Sequence, residues 1–175
     1  ADRFGFEAAA LLSSGYLAGQ VAVRALSKGK TVLYAPGSHP ALWLDETPLV
    51  DGSFDEWAKA TVEFINDAEH DDVLVISNCI DNLTPLHFDF SIFREIKPDK
   101  KVLLILDDSH GIGILKKNQV SADLSALKFD NIEIVVLASL AKGLGTDAGV
   151  VFGNKGTVEK IKKHPIFNGA SPTAP

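Results

Sequence analysis

A chain of 175 residues, 46% of them hydrophobic and 23% charged, is long enough for one domain with a full core. Its net charge of −6, with no basic stretch exceeding a pair of lysines, excludes a nucleic-acid partner and an anionic membrane surface. The lone cysteine, Cys79, excludes a disulfide framework and a cysteine-based metal site, and no apolar stretch approaches the roughly 18 residues that span a bilayer.

In chain order, Ser14 to Leu26 reads as a helix, with Tyr16, Gln20, Val23 and Arg24 mixed on its faces and Gly29 ending it. Thr31 to Tyr34 is predicted as a strand that runs into the turn Pro36-Gly37. A second helix starts at Ser53, which can form a capping box with Glu56, and its buried stripe is predicted as Trp57, Thr61, Phe64 and Ile65. Val73 to Ile76 is the next strand, followed by a short helix from Phe90 to Ile96 that Pro98 stops. Val102 to Leu106 and Ile132 to Leu137 are continuous apolar runs, as expected of central strands covered on both faces. Ala148 to Phe152 reads as a further strand, at an edge or antiparallel, and Val158 to Lys163 begins a helix. The alternation predicts an α/β fold: one domain, 1–175, with a mostly parallel sheet flanked by helices on both faces.

In such sheets ligands bind beyond the carboxyl ends of the strands. Polar groups fall there four times: Ser38-His39, then Ser77-Asn78, then Asp107 with His110, then Ser139 with Lys142. An amine and a carboxylate at the ends of neighbouring buried strands are what a pyridoxal 5'-phosphate site requires. Lys142 would bond the cofactor aldehyde, and Asp107 would keep the pyridine nitrogen protonated. His110, three residues beyond Asp107, can turn back to the same ring, and His39 can stack on the ring face opposite the lysine. Ser14-Gly15-Tyr16 opens a helix whose first N–H groups suit a phosphate, and the Ser139 hydroxyl can add a bond to it. Adjacent Asp108 is read as a helix-capping residue, and His70, His87 and His164 as surface or satisfied residues. No metal-ligand set is expected.

These motifs resemble the large domain of fold-type I pyridoxal phosphate enzymes, and more narrowly the α-oxoamine synthases, such as 8-amino-7-oxononanoate synthase and glycine C-acyltransferase, from about Leu11 to Pro175. Leu12-Ser-Ser-Gly-Tyr16 resembles the family's phosphate segment, and Gly37-Ser-His39 its ring-stacking histidine. Asp107-Asp-Ser-His110-Gly-Ile-Gly113 resembles Asp-[Glu/Asp]-Ala-His-x-x-Gly, and Ser139-Leu-Ala-Lys142-Gly-Leu-Gly145 the lysine motif Thr-x-[Gly/Ser]-Lys-[Ala/Gly]-x-Gly. Ser77-Asn-Cys-Ile-Asp-Asn-Leu-Thr-Pro85-Leu86 is one residue longer than the corresponding family stretch, so Ser77 and Asn78 compete for the ring contact. Pro40 also departs, standing where the family has alanine.

The resemblance implies condensation of an amino acid with an acyl-CoA by a homodimer; the charge balance and the absence of a long apolar stretch make a cytoplasmic protein, with neither nucleic acid nor membrane as partner, the default expectation. Histidine at 110 favours acyl transfer, because aminotransferases resemble Asp-x-x-Tyr there; an aminotransferase, or a non-catalytic fragment, is the alternative. With no methionine anywhere, the chain reads as an excised large domain, with the N-terminal arm and C-terminal small domain outside it. The loop-like Asn168 to Pro175 fits that reading.

Overall fold

The computed structural model describes residues 1–69, 72–84 and 86–170. His70, Pro85 and residues 171–175, which figured in the sequence reading, lie outside the described residues. Among the described residues six strands form one sheet: β1 (Ala8–Leu12), β2 (Thr31–Tyr34), β3 (Asp72–Asn78), β4 (Lys101–Asp107), β5 (Ile132–Ser139) and β6 (Gly149–Gly153). Their spatial order is β1-β6-β5-β4-β3-β2. The four strands β2 to β5 are parallel, while β6 runs antiparallel between β5 and β1. The predicted Ala148–Phe152 strand is antiparallel, one of its two expected alternatives, but interior rather than at an edge; the edge on that side is β1, a strand the sequence reading did not include, and β2 is the other.

The helices are α1 (Gly15–Leu26), α2 (Phe54–Asp67), α3 (Leu140–Gly143), α4 (Lys155–Lys162) and α5 (Pro165–Gly169). No described helix is long and apolar enough to cross a membrane. The predicted helix from Phe90 to Ile96 is instead a 3-10 turn over Ser91–Glu95, and α5 occupies part of the C-terminal stretch expected to be loop.

Each central strand serves two cores. Val73 and Val75 of β3 and Leu104 and Leu106 of β4 meet Phe54, Ala58, Val62 and Ile65 of α2 on one face. Leu74 and Ile76, with Leu103 and Ile105, meet Ala18, Val21 and Ala22 of α1 and Ile161 of α4 on the other. Side chains alternate across a strand, so a continuous apolar run is what two covered faces require.

Helix α1 starts where Ser14 Oγ accepts the Leu17 N–H at 3.1 Å, and it ends at Ser27. Gly29 lies beyond it, at φ +78, in the turn that Lys30 N–H closes on the Ser27 carbonyl. The Ser53–Glu56 capping box of α2 is present. Its buried stripe differs from the predicted one: Phe54, Ala58, Thr61, Val62 and Ile65 are inside, whereas Phe64 is 50% exposed and Trp57 only half-buried. Phe54 sets this phase by stacking on Phe88 at 4.2 Å, which turns the helix one residue away from the aromatic face its sequence presents.

Candidate active site

The carboxyl ends of β3, β4 and β5 are level, with Asn78 opposite Asp107 and Asp107 opposite Leu137. Asp107, 9% exposed, is therefore a carboxylate at the edge of an apolar sheet, and its Oδ1 accepts the Ser109 N–H at 2.8 Å. Ser109 Oγ accepts the Ser139 N–H at 2.8 Å, tying the loop after β4 to the end of β5. That tie seats α3 beside the loop. A Cβ on Gly143 would lie 2.1 Å from the Ile112 carbonyl oxygen, so only glycine lets the lysine turn approach this closely. The outcome is a contact between Lys142 Nζ and His110 Nε2 at 3.0 Å. Burial, and then the Lys142 charge, hold the His110 imidazole below its ordinary pKa, with Asp107 opposing and His39 adding to the effect. Both members of the pair are exposed, on an open rim.

His39 approaches from the next strand. Its backbone N–H donates to Asn78 Oδ1 at 3.3 Å, while Asn78 Nδ2 donates to the Gly37 carbonyl at 2.8 Å. Ser77 is fully buried, and its hydroxyl donates to the Asn78 carbonyl at 2.8 Å. Of the two competing residues, Asn78 is thus the one whose side chain touches the segment that carries His39.

At the opposite end, the first turn of α1 is pressed onto the end of β5. A Cβ on Gly15 would sit 2.5 Å from Ser139 Cβ, 2.7 Å from its Cα and 2.9 Å from its N. A Cβ on Gly149 would sit 2.1 Å from the Ser14 carbonyl oxygen. These two glycines bring the start of a twelve-residue helix against the Ser139 side chain. The N–H groups of Gly15 and Tyr16 precede the first intrahelical hydrogen bond, made by Ala18, and are available to an anion. The Tyr16 ring is 59% exposed. The helix-start N–H groups, the buried Asp107 carboxylate and the Lys142 amine are of the chemical kinds that the phosphate, pyridine nitrogen and aldehyde of pyridoxal phosphate would meet.

Asp108 corrects the sequence reading. It caps no helix; it is 1% exposed and accepts the Ser121 N–H at 2.8 Å and the Ser121 hydroxyl. Burial raises its pKa, the two Ser121 bonds oppose that, and Asp107 adds to it. Complete burial, and then the Asp108 and Asp107 charges, push the Cys79 thiol well up, which leaves it little thiolate character. Gly111 permits the arrangement, since a Cβ there would lie 2.4 Å from Asp108 Oδ1 and 2.5 Å from Ser121 Oγ. The glycine after His110 was a visible signal for a close approach; the identity of the partner, Ser121, was not.

The model of the family described as aminotransferase class I and II matches residues 1–165. Among curated proteins no sequence matches. In fold the chain is similar to a serine palmitoyltransferase of Sphingomonas wittichii, at 16% identity and a TM-score of 0.68, over 92% of this chain and 41% of that one. It is similar to a serine palmitoyltransferase variant from S. paucimobilis with a bound PLP–myriocin aldimine, at 15% identity and TM-score 0.70, over 92% and 42%. SepCysS in complex with the SepCysE N-terminal domain gives 14% identity and TM-score 0.65, over 93% and 46%. The chain thus spans less than half the length of these structures.

Proposed function

The chain belongs to the aminotransferase class I and II family, and on that footing we propose that it is the cofactor-binding part of a pyridoxal phosphate-dependent enzyme that condenses an amino acid with an acyl-CoA. The observation that carries the reading is the 3.0 Å contact of the Lys142 amine with His110, beside the buried Asp107 carboxylate. Bound there, pyridoxal phosphate supplies an electron sink for charge developing at the substrate Cα.

The residues have separate tasks. Lys142 Nζ would hold the aldehyde and would serve as the base that takes the substrate Cα proton. Asp107 would hold the pyridine N–H by a charge-assisted hydrogen bond. His110 would donate to the phenolate oxygen, and His39 would stack on the ring. The N–H groups of Gly15 and Tyr16 and the Ser139 hydroxyl hold the phosphate. Asn78 meets the ring edge, with Ser77 bracing its carbonyl. Ile114, Leu115 and Leu144, all exposed close to the lysine turn, are the surface a second copy would cover in a homodimer.

The test is reductive trapping. Borohydride treatment of the chain with pyridoxal phosphate is expected to fix a pyridoxyl group on the Lys142 peptide; label on Lys155, or spread over the lysines, would overturn the assignment. The family description favours a second reading, amino-group transfer. With the full-length protein, an amino acid plus an acyl-CoA should release CoA, whereas conversion of a keto acid without CoA would establish the second reading instead.

A further inference from the structure

The segment that carries His39 is tied to α1 and also held by bonds of its own, among them Trp43 Nε1 to the Ser38 carbonyl at 3.0 Å and the Leu44 N–H to the Tyr34 hydroxyl at 3.1 Å. Gln20, on the second turn of the helix, donates both hydrogens of its amide, one to the Ala41 carbonyl at 3.1 Å and one to the Trp43 carbonyl at 3.0 Å. Its Oε1 accepts Arg24 Nε at 3.2 Å, and Arg24 Nη2 donates to the Leu44 carbonyl at 2.8 Å. Gly19 makes the approach possible, since a Cβ there would sit 2.6 Å from the Ala41 oxygen. Ala41 is buried, and its own N–H donates at 3.1 Å to His39 Nδ1. A ring nitrogen that accepts a backbone N–H carries no proton, so in the neutral ring the proton lies on Nε2. Pro40 suits this turn, since it has no N–H to compete for Nδ1 and starts the Pro40–Leu42 turn that His39 caps.

We propose that Gln20 is a positioning residue for His39: by fixing Ala41 it holds the imidazole as the Nε2–H tautomer and sets its ring plane. The same helix carries Gly15 and Tyr16 at its start, so one rigid element would register the anion cradle against the stacking ring. The consequence for the cofactor rests on the stacking role proposed for His39; the tautomer does not.

The experiment needs no cofactor. The chain with nitrogen-15 histidine and alanine is examined by long-range proton–nitrogen correlation in buffer above the ordinary imidazole pKa of about 6.5. His39 should show an unprotonated, hydrogen-bonded Nδ1 and a protonated Nε2, and the Ala41 amide should be protected from exchange. Gln20→Glu keeps the side-chain length and the Arg24 contact but removes both donors. It should shift the Nδ1 signal toward a tautomer average and raise Ala41 amide exchange about tenfold, the scale of one lost hydrogen bond. Unchanged His39 and Ala41 signals in Gln20→Glu would overturn the proposal. So would a protonated Nδ1 in the parent chain, a measurement that stands even if the variant does not fold. Trapping at Lys142 is read separately, so failure of the cofactor reading leaves this result interpretable.

Discussion

Replacing Gly15 with alanine tests the close packing of α1 against the end of β5. The added Cβ would lie 2.5 Å from Ser139 Cβ and within 2.9 Å of two Ser139 backbone atoms, where ordinary contact begins at 3.4 Å. Two of the three opposing atoms are β5 backbone, so relief requires the first turn of α1 to move by about 0.9 Å, the difference between 2.5 and 3.4 Å. That turn leads directly into the buried face of Ala18, Val21 and Ala22. A gap of this size forfeits roughly a quarter to a half of the dispersion energy of the atoms it separates. Overpacking of this kind costs about 1–3 kcal/mol, and the better helix propensity of alanine offsets up to ~1 kcal/mol of it. The net expectation is about 1–2 kcal/mol, or roughly 2–8 °C in Tm for a chain of this size. Gly156→Ala is the control. It lies in the first turn of α4, its Cβ would meet only Asn154 Oδ1 at 3.4 Å, and the change should stabilise by about 0.5–1 kcal/mol. Urea denaturation followed by circular dichroism reads both. The argument fails if Gly15→Ala unfolds at the same urea concentration as the parent or above it.

Asp108 gives a second contrast. Its carboxyl pKa is raised, so the folded state favours the neutral form: this contribution is full below the ordinary value of 3.8 and is lost as pH rises through the folded pKa. Asp108→Asn removes the buried charge, keeps an acceptor for Ser121 and should stay within about 1 kcal/mol of the parent at neutral pH. Asp108→Ala strands the Ser121 N–H and hydroxyl and should cost about 2–4 kcal/mol; equal urea midpoints for the two variants would contradict this. His110 has the opposite sign. Its imidazole pKa is lowered, so the neutral ring's contribution is complete above the ordinary value of 6.5 and is lost as pH falls through the folded value. Urea midpoints of parent and His110→Asn should therefore converge as pH falls below about 6.5, and parallel curves would dismiss the assignment.

The parallel strands were legible because burial on both faces leaves an unbroken apolar run, and polar residues at their carboxyl ends could be placed on one edge because parallel strands end there together. Strand β1 was not. Ala8-Ala-Ala-Leu-Leu12 has weak strand propensity, and its conformation is dictated by pairing with β6 near the far end of the chain. The phase of α2 was misread because Trp57 and Phe64 look like core residues, whereas the contact that orients the helix, Phe54 on Phe88, joins separate segments. Asp108 and Gln20 were opaque for a related reason. Their partners, Ser121 and the carbonyls of Ala41 and Trp43, lie 13 to 23 residues away in irregular backbone that carries no periodicity.

The insertion of β6 between β5 and β1 also sets a timetable for synthesis. A chain leaves the ribosome N-terminus first at ~5–20 residues per second, so Ala8–Leu12 emerges roughly 7–30 s before the strand it pairs with. In the interval β2, β3, β4 and β5 can add to one another in the order they appear, each new strand finding its neighbour already present. Strand β1 is without β6, its partner in this sheet, until β6 is made. Three of its five residues are alanine, a composition with little tendency to stack on a wrong partner, so the weak propensity that hides β1 from a sequence reader also protects the nascent chain.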